Sequence, residues 1–270
     1  SLREAKGAKM TIFRFMAGAL MLATAALSQA APDKSIESNE QGTGYSLEFS
    51  YPAVIAEHPA LQQMVLAERQ TQLTQLKQWG KDWVSENPER AVETDMESFI
   101  TWQTVANLPR FLSLTKDIWD YSGGAHGNWW RSSIVWDKQL GTVRKPIEMF
   151  VDKQAFDRVM HERFCEALDA ERARKDGQEP VAGKDDAEYW QDWMERCPKP
   201  SELDIILGSS DRKTFNRLAV YVGIYTVGPY VEGDYEIDLP VTANLIAAVK
   251  PEYRGVFAVS PKSAAKARER

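Results

Sequence analysis

The sequence predicts an α+β protein in which an antiparallel β-meander packs against helices, arranged as two subdomains. Three observations support this fold class. Residues 60–84 repeat apolar side chains at helical spacing, and residues 96–137 contain alternating runs that turns separate. The helical period returns from residue 153, and strand-like runs follow from residue 203.

The first half begins with a polar stretch, residues 31–43, which we interpret as a flexible lead-in. Residues 45–51 alternate as a short strand, with aromatic and apolar side chains on one side. The long helix at residues 60–84 comes next. Because Trp79 and Trp83 lie one helical turn apart in it, we expect both side chains in the core.

The meander is predicted to have three strands, at residues 96–106, 110–121 and 129–137. A glycine-rich turn at residues 122–128 joins the second strand to the third, and residues 138–142 form a further turn. Strands of this length that are joined by turns pair in antiparallel fashion.

The second half begins with a helix at residues 153–175, and a second helix is predicted at residues 185–196. Strands are predicted at residues 203–207, 217–225 and 234–239. Thr242 is suited to cap a final short helix that extends to Val249. From Ser260 the chain is rich in alanine and lysine, and we expect it to be frayed.

Residues 1–30 have the pattern of a secretory signal peptide, with residues 1–9 as an upstream extension. Arg14 supplies a positive charge, residues 15–27 form an apolar core, and small residues allow cleavage after Ala30. An N-terminal membrane anchor is the alternative, but this apolar core is shorter than a bilayer span. We therefore expect a periplasmic or secreted protein with no membrane span in the mature chain.

The two cysteines, Cys165 and Cys197, fit an oxidising destination, where a disulfide is the default. Closing a loop of this length stabilises a fold by about 3–4 kcal/mol in the chain-entropy model. A rival interpretation pairs His161 with Cys165, since positions i and i+4 share one helix face, as part of a metal site. No third or fourth ligand is evident, so the sequence predicts a disulfide, no metal and no cofactor.

The charge balance bears on possible partners. The chain has 33 basic and 39 acidic residues, a formal net charge of −6. An acidic surface disfavours nucleic acid and anionic membranes and is compatible with a basic partner. The alternative is that the charge serves only solubility.

Two motifs resemble a known pair of domains: YSGGAHGN at residues 121–128 and YTVGPYVEG at residues 225–233. They are similar to the paired domains of unknown function in the lysozyme-binding ectodomain of the anti-sigma factor RsiV. A related N-terminal domain accompanies the peptidoglycan deacetylase PdaC. The resemblance implies a PdaC-like N-terminal domain at residues 44–150, an RsiV-like C-terminal domain at residues 151–259 and a basic tail at residues 260–270. It also implies an exported envelope protein with no established enzymatic activity of its own.

His126 is the catalytic candidate of the glycine-rich turn, because neighbouring glycines permit positive φ and leave the ring accessible. Asp117 or Asp120 on the preceding strand could orient the imidazole, although a histidine base still needs a nucleophile or an activated water. In the structural alternative, the ring hydrogen-bonds the loop backbone and stabilises the hairpin.

The tryptophans favour binding instead. Trp129 and Trp130 are adjacent in a strand, so their side chains point to opposite faces, and an exposed one could contact a glycan or a protein. Burial of both between a sheet and helices is the alternative. With His126 and Tyr230 from the second motif, these two residues are the predicted binding site.

These observations predict an exported cell-envelope binding protein that recognises a lysozyme-like protein or cell-wall glycan (peptidoglycan). The alternative hypothesis is a hydrolase of envelope polymers that uses His126.

Overall fold

The computed structural model describes residues 34–89, 96–176 and 197–261. One sheet contains β1 (Ser35–Gly42), β2 (Tyr45–Pro52), β3 (Met96–Asn107), β4 (Phe111–Tyr121), β5 (Asn128–Asp137) and β6 (Thr142–Arg144), hydrogen-bonded in that order. A second sheet contains β7 (Asp204–Gly208), β8 (Arg217–Val222) and β9 (Tyr235–Pro240). The described α-helices are α1 (Pro59–Glu86), α2 (Lys153–Asp176) and α3 (Ala243–Ala247). The α+β prediction is confirmed.

Strand β1 corrects the prediction of a flexible lead-in at residues 31–43. It pairs with β2 along its whole length. As an edge strand it is mostly exposed on both faces, so it shows no alternation of apolar residues. Its Glu40 forms ion pairs with Arg69 at 3.2 Å and Lys77 at 2.7 Å, both from α1.

Helix α1 forms as predicted and covers one face of the first sheet. Leu61, Val65 and Leu76 are buried against the sheet. The helix is also a crossover connection, because β2 and β3 pair in parallel. The first sheet is therefore mixed, whereas a meander alone contains only antiparallel pairs. The prediction for Trp79 is wrong: it is 39% exposed, on the solvent side of the helix, whereas Trp83 packs partly buried against the core.

Strands β3 to β6 form the predicted antiparallel meander, which β6 extends beyond the predicted strands. The first five residues of β4, Phe111 to Thr115, are all buried. A continuous buried run indicates that both faces of the strand are covered. Here α1 lies on one face and the second sheet on the other, where the buried Ser133 hydroxyl of β5 donates to the Ile205 carbonyl at 2.6 Å.

The second sheet and α2 enclose a further core. Phe156 and Phe164 of α2 and Leu218 of β8 are buried in it, together with Phe111 and other residues of the first sheet. This core therefore contains side chains from both predicted domains. The division at residue 150 stays a prediction.

The disulfide between Cys165 and Cys197 is confirmed. It joins α2 to the segment that precedes β7. The predicted helix at residues 185–196 lies outside the described residues, as do the signal peptide and most of the basic tail.

Smaller predictions have mixed outcomes. The Thr242 side chain caps α3 by accepting from the Leu245 N–H at 3.3 Å. Strand β8 ends at Val222, three residues earlier than predicted. The prediction that the chain is frayed from Ser260 is wrong for Ser260 itself, which is buried. Its hydroxyl accepts a hydrogen bond from the Val241 N–H at 2.7 Å and donates one to the Asn216 carbonyl. No helix in the described part of the chain has the length and apolar character to cross a membrane.

Candidate functional site

The turn between β4 and β5 has the backbone that its glycines predict. Gly123 has φ +89° and Gly124 has φ +100°, which L side chains rarely adopt. The Tyr121 hydroxyl donates to the Gly124 carbonyl at 3.0 Å and closes the turn on itself. His126 follows and is exposed.

The link between β8 and β9 carries the second motif. A short 3₁₀ turn at Tyr230–Glu232 ends at Gly233, whose φ is +72°. At the start of the motif Tyr225 has φ +62° and is 42% exposed. A left-handed backbone at a bulky residue is strained, and such strain concentrates at functional sites.

The two motifs meet through Tyr230. The His126 ring stacks on the Tyr230 ring, with centroids 3.7 Å apart and planes 21° apart. The Tyr230 hydroxyl donates to the Gly127 carbonyl at 2.8 Å. Trp129 packs edge-on against Tyr230 at 5.0 Å, and Tyr225 lies 5.7 Å from it. We call these four rings, His126, Trp129, Tyr225 and Tyr230, the tip cluster.

A row of aromatic rings on the same face of the sheet leads up to the tip cluster. Trp119 stacks on Phe99 at 4.9 Å and on Tyr121 at 6.2 Å. Gly127 packs against Trp119 so closely that an added Cβ would lie 2.5 Å from the indole ring. The glycine is therefore required for the turn to lie over this row.

The C-terminal end of α2 holds the link in place. The Lys175 ammonium donates to the Glu232 carbonyl at 3.0 Å and to the Asp234 carbonyl, and lies 3.8 Å from the centre of the Tyr235 ring. Burial lowers the pKa of Lys175. The Arg172 guanidinium donates to the Val227 carbonyl at 2.7 Å. Two cations at the helix C-terminus thus bind carbonyl groups of the link, which positions the tip cluster.

Charged residues border the aromatic row further along the sheet. The Arg131 guanidinium forms ion pairs with Asp117 of β4 and Glu236 of β9, and so connects the two sheets. Burial raises the pKa of Glu236, while the charge of Arg131 opposes that rise. The side-chain amide of Gln103 donates to Asp117 at 2.9 Å.

The predicted catalytic pair is not brought together. His126 Nδ1 hydrogen-bonds the Gly127 carbonyl at 3.1 Å, which is the contact expected from a structural role. Asp120 lies on the other face of β4, where its carboxylate interacts with Ser98 and burial raises its pKa. Within the described residues no hydrogen bond joins the two side chains.

Three of the four predicted binding residues, His126, Trp129 and Tyr230, lie in the tip cluster. The fourth, Trp130, points to the α1 side of the sheet and is 41% exposed. Sequence reasoning missed Tyr225, although it is the first residue of the second motif. Nothing in the one-dimensional pattern marks a strained backbone at that position.

Part of the chain matches a known protein-family model. Residues 38–129 match the family model described as Deacetylase PdaC, which confirms the predicted resemblance over the part that contains the glycine-rich turn. No curated protein matches the chain.

Two solved structures are similar to the chain, both of DUF3298 family proteins. The one from Pseudomonas aeruginosa is 17% identical, with a TM-score of 0.47 over 84% of this chain and 97% of its own. The one from Bacteroides fragilis is 15% identical, with a TM-score of 0.49 over 77% of this chain and 89% of its own.

Proposed function

We propose that the protein is an exported cell-envelope binding protein and that the tip cluster binds a cell-wall glycan. The observation that carries the proposal is the exposed aromatic surface that the two motifs build together. His126 and Tyr225 are exposed, and Tyr230 and Trp129 lie partly exposed between them.

Aromatic rings suit a sugar ligand because their faces pack on its C–H groups while hydroxyl and ring N–H groups reach its oxygens. The rings are also held before any ligand arrives. Tyr230 is fixed by its bond to Gly127 and by stacking on His126. Preorganised side chains lose less entropy on binding, which favours affinity.

An exported location is supported by the signal-peptide pattern and by the disulfide between Cys165 and Cys197, since disulfides persist in oxidising compartments. The resemblance to PdaC over residues 38–129 also favours an envelope setting.

A lysozyme-like protein is the second candidate ligand. The chain's net charge of −6 favours a basic partner. Exposed tyrosines are also common at protein interfaces. Both candidates use the same surface, so one set of variants tests both.

Hydrolysis that uses His126 is less well supported. In the described part of the chain, the ring's hydrogen bond is to a backbone carbonyl, and no carboxylate or hydroxyl group hydrogen-bonds to it. A general base needs such a partner or an activated water.

Isothermal titration calorimetry with soluble peptidoglycan fragments, and separately with lysozyme, tests the proposal. His126→Ala and Tyr225→Ala should each weaken binding by about 10-fold, the effect of losing roughly 1.4 kcal/mol of contact energy. Trp130→Ala is the matched control, because Trp130 is as exposed as Tyr225 but lies on the opposite face. Undetectable binding of the peptidoglycan fragments by the wild type would overturn the glycan proposal, as would a loss of binding seen only with Trp130→Ala.

A further inference from the structure

A second cluster of chemically reactive side chains lies on α2, away from the tip cluster. His161 and Cys165 occupy successive turns on one face of the helix, and Cys197 approaches them from the segment before β7. Their ligand atoms lie within 4.8 Å of one another. All three residues are partly exposed, so small ions and reductants can reach them.

The imidazole of His161 is held toward the disulfide. Its Nε2–H donates to the Cys197 carbonyl at 3.3 Å. Cys197 thus supplies the third group that the spacing of His161 and Cys165 lacked in the sequence. Among the described residues, one group of three histidine, cysteine or acidic side chains has its possible metal-ligand atoms close enough together to hold one ion. It consists of His161, Cys165 and Cys197.

The chemistry of this cluster depends on its oxidation state. In the disulfide both sulfur atoms are bonded to each other, and neither is a thiolate. After reduction the set is one imidazole and two thiols, which is a known donor set for Zn²⁺ with three protein ligands and one open position. Zinc lies about 2.3 Å from sulfur and about 2.0–2.1 Å from nitrogen, so small side-chain rotations bring these atoms onto one ion.

We propose that reduction of the Cys165–Cys197 disulfide converts this cluster into a site for a soft divalent metal ion, Zn²⁺, with His161, Cys165 and Cys197 as ligands. The protein then has two states, a covalently closed oxidised form and a metal-binding reduced form. The site is independent of the proposed glycan binding at the tip cluster.

The redox step balances with a dithiol as the reductant. A thiolate of the dithiol attacks one sulfur of the Cys165–Cys197 bond, and its second thiol resolves the mixed disulfide. The dithiol becomes a disulfide, and two electrons and two protons pass to the protein as two thiols. Zn²⁺ then displaces the two thiol protons. Neutral His161 gives up its hydrogen bond to the Cys197 carbonyl, its ring proton moves to Nδ1, and Nε2 contributes the lone pair to the ion.

Cobalt binding to the full chain tests the proposal, because Co²⁺ bound by thiolates gives a charge-transfer absorption in the near ultraviolet. The protein is reduced with a water-soluble phosphine, which takes up the oxygen of one water and leaves two thiols on the protein. The reduced protein should bind one equivalent of Co²⁺ with that absorption, and Zn²⁺ should displace it. The oxidised protein should show no such band.

His161→Ala in the reduced protein should weaken Co²⁺ binding by at least about 10-fold, since loss of even an outer partner of a metal ligand costs that much. His58→Ala, a histidine remote in sequence, is the matched control and should bind as the wild type does. Equal affinity for wild type and His161→Ala would overturn the proposal, and so would a folded, reduced wild type without the band.

Circular dichroism during the titration covers the case in which the reduced chain unfolds. If Zn²⁺ restores the folded spectrum of the wild type but not of His161→Ala, the site is supported. If Zn²⁺ restores neither, or restores both equally, the proposal fails.

Discussion

The two ends of the β4–β5 hairpin have the same strand geometry but opposite roles. At the base, Phe111 and Val135 are fully buried. At the tip, Trp119 and Trp129 pair across the same two strands but are only partly buried, and His126 is exposed. The difference is coverage: α1 and the second sheet enclose the base, whereas the tip has beside it the link that carries Tyr230, the edge of β3 and the Trp83 ring near the end of α1.

Alternation of side chains along a strand therefore does not determine whether the end of that strand is buried or available to a ligand. Apolar and aromatic residues continue to the tip, but without a covering layer their rings remain available to a ligand. Changes at the base should therefore affect stability, and changes at the tip should affect binding.

The largest effect is expected at the base. Phe111→Ala should lower the free energy of unfolding by about 3–5 kcal/mol, because it empties a fully buried site next to Phe215 and Tyr253. Urea denaturation at neutral pH measures the loss. Leu140→Ala is the control, since Leu140 is 60% exposed and its truncation should cost no more than about 0.5 kcal/mol. A loss below 1 kcal/mol for Phe111→Ala would show that the base is not a packed core.

The next effect concerns a buried charge at the base. Asp137 is fully buried and accepts hydrogen bonds from Arg110, the closest at 2.7 Å. Burial alone would raise its pKa, but the hydrogen bonds from Arg110 and from the backbone N–H groups of Leu140 and Gln139 outweigh it and hold the pKa below its ordinary value. Asp137→Asn should cost about 1.5–3 kcal/mol at pH 7, the range for hydrogen bonds to charged groups.

The pH dependence of that effect has a definite sign. Because the folded-state pKa of Asp137 is depressed, its stabilisation is fully present above the unfolded value of about 3.9 and is lost as pH falls through the folded pKa. Urea denaturation of wild type and Asp137→Asn should therefore give a smaller difference at pH 3 than at pH 7. A difference that is the same at both pH values would assign the loss to packing.

A smaller effect is expected in the glycine-rich turn between β4 and β5. Gly127→Ala places a methyl group 2.5 Å from the Trp119 indole, so the turn or the ring must shift. Overpacking of this kind lowers the free energy of unfolding by about 1–3 kcal/mol. It should also weaken ligand binding, because a shift of the turn disturbs the hydrogen bond from the Tyr230 hydroxyl to the Gly127 carbonyl. Gly255→Ala is the control, since nothing lies within 4 Å of its added Cβ. Unchanged stability and affinity in Gly127→Ala would contradict the close packing.

The smallest effect on stability is expected for Tyr225 of the tip cluster. Tyr225→Gly should change the free energy of unfolding by less than about 1 kcal/mol, because relief of the left-handed strain offsets the greater freedom of glycine in the unfolded chain. Affinity for the ligand should nevertheless fall, since an exposed ring of the tip cluster is lost. Thermal denaturation and calorimetry on the same samples measure both quantities. A clear loss of stability with full affinity would assign Tyr225 to the structure.

Much of the fold follows from local patterns. Helix α1, strands β2 to β5 and α2 were predicted because each has a run of residues with a helical or alternating period. Strand β1 was missed since an edge strand exposed on both faces has no period, and its pairing with β2 comes from backbone hydrogen bonds. The prediction for Trp79 was wrong because periodicity shows that a helix has a buried face but does not show which residues lie at the edge of that face.

The candidate site was predictable only in parts. The two motifs named His126 and Tyr230, and the tryptophan pair named Trp129, yet the stacking of His126 on Tyr230 depends on a contact between residues about a hundred positions apart. Asp120 is close to His126 along the chain, but alternation along β4 directs its side chain to the other face of the sheet.

The sequence by itself determined the α+β class, the positions of most helices and strands, and the glycines that shape the hairpin turn, since these depend on neighbouring residues. It also identified Cys165 and Cys197 as a disulfide pair. Tertiary structure alone decided that β2 and β3 pair in parallel, that the two motifs meet in one tip cluster, and that the His161 ring hydrogen-bonds the Cys197 carbonyl. The reason is that such contacts join residues distant in sequence, and they exist only after the two sheets and α2 have packed together.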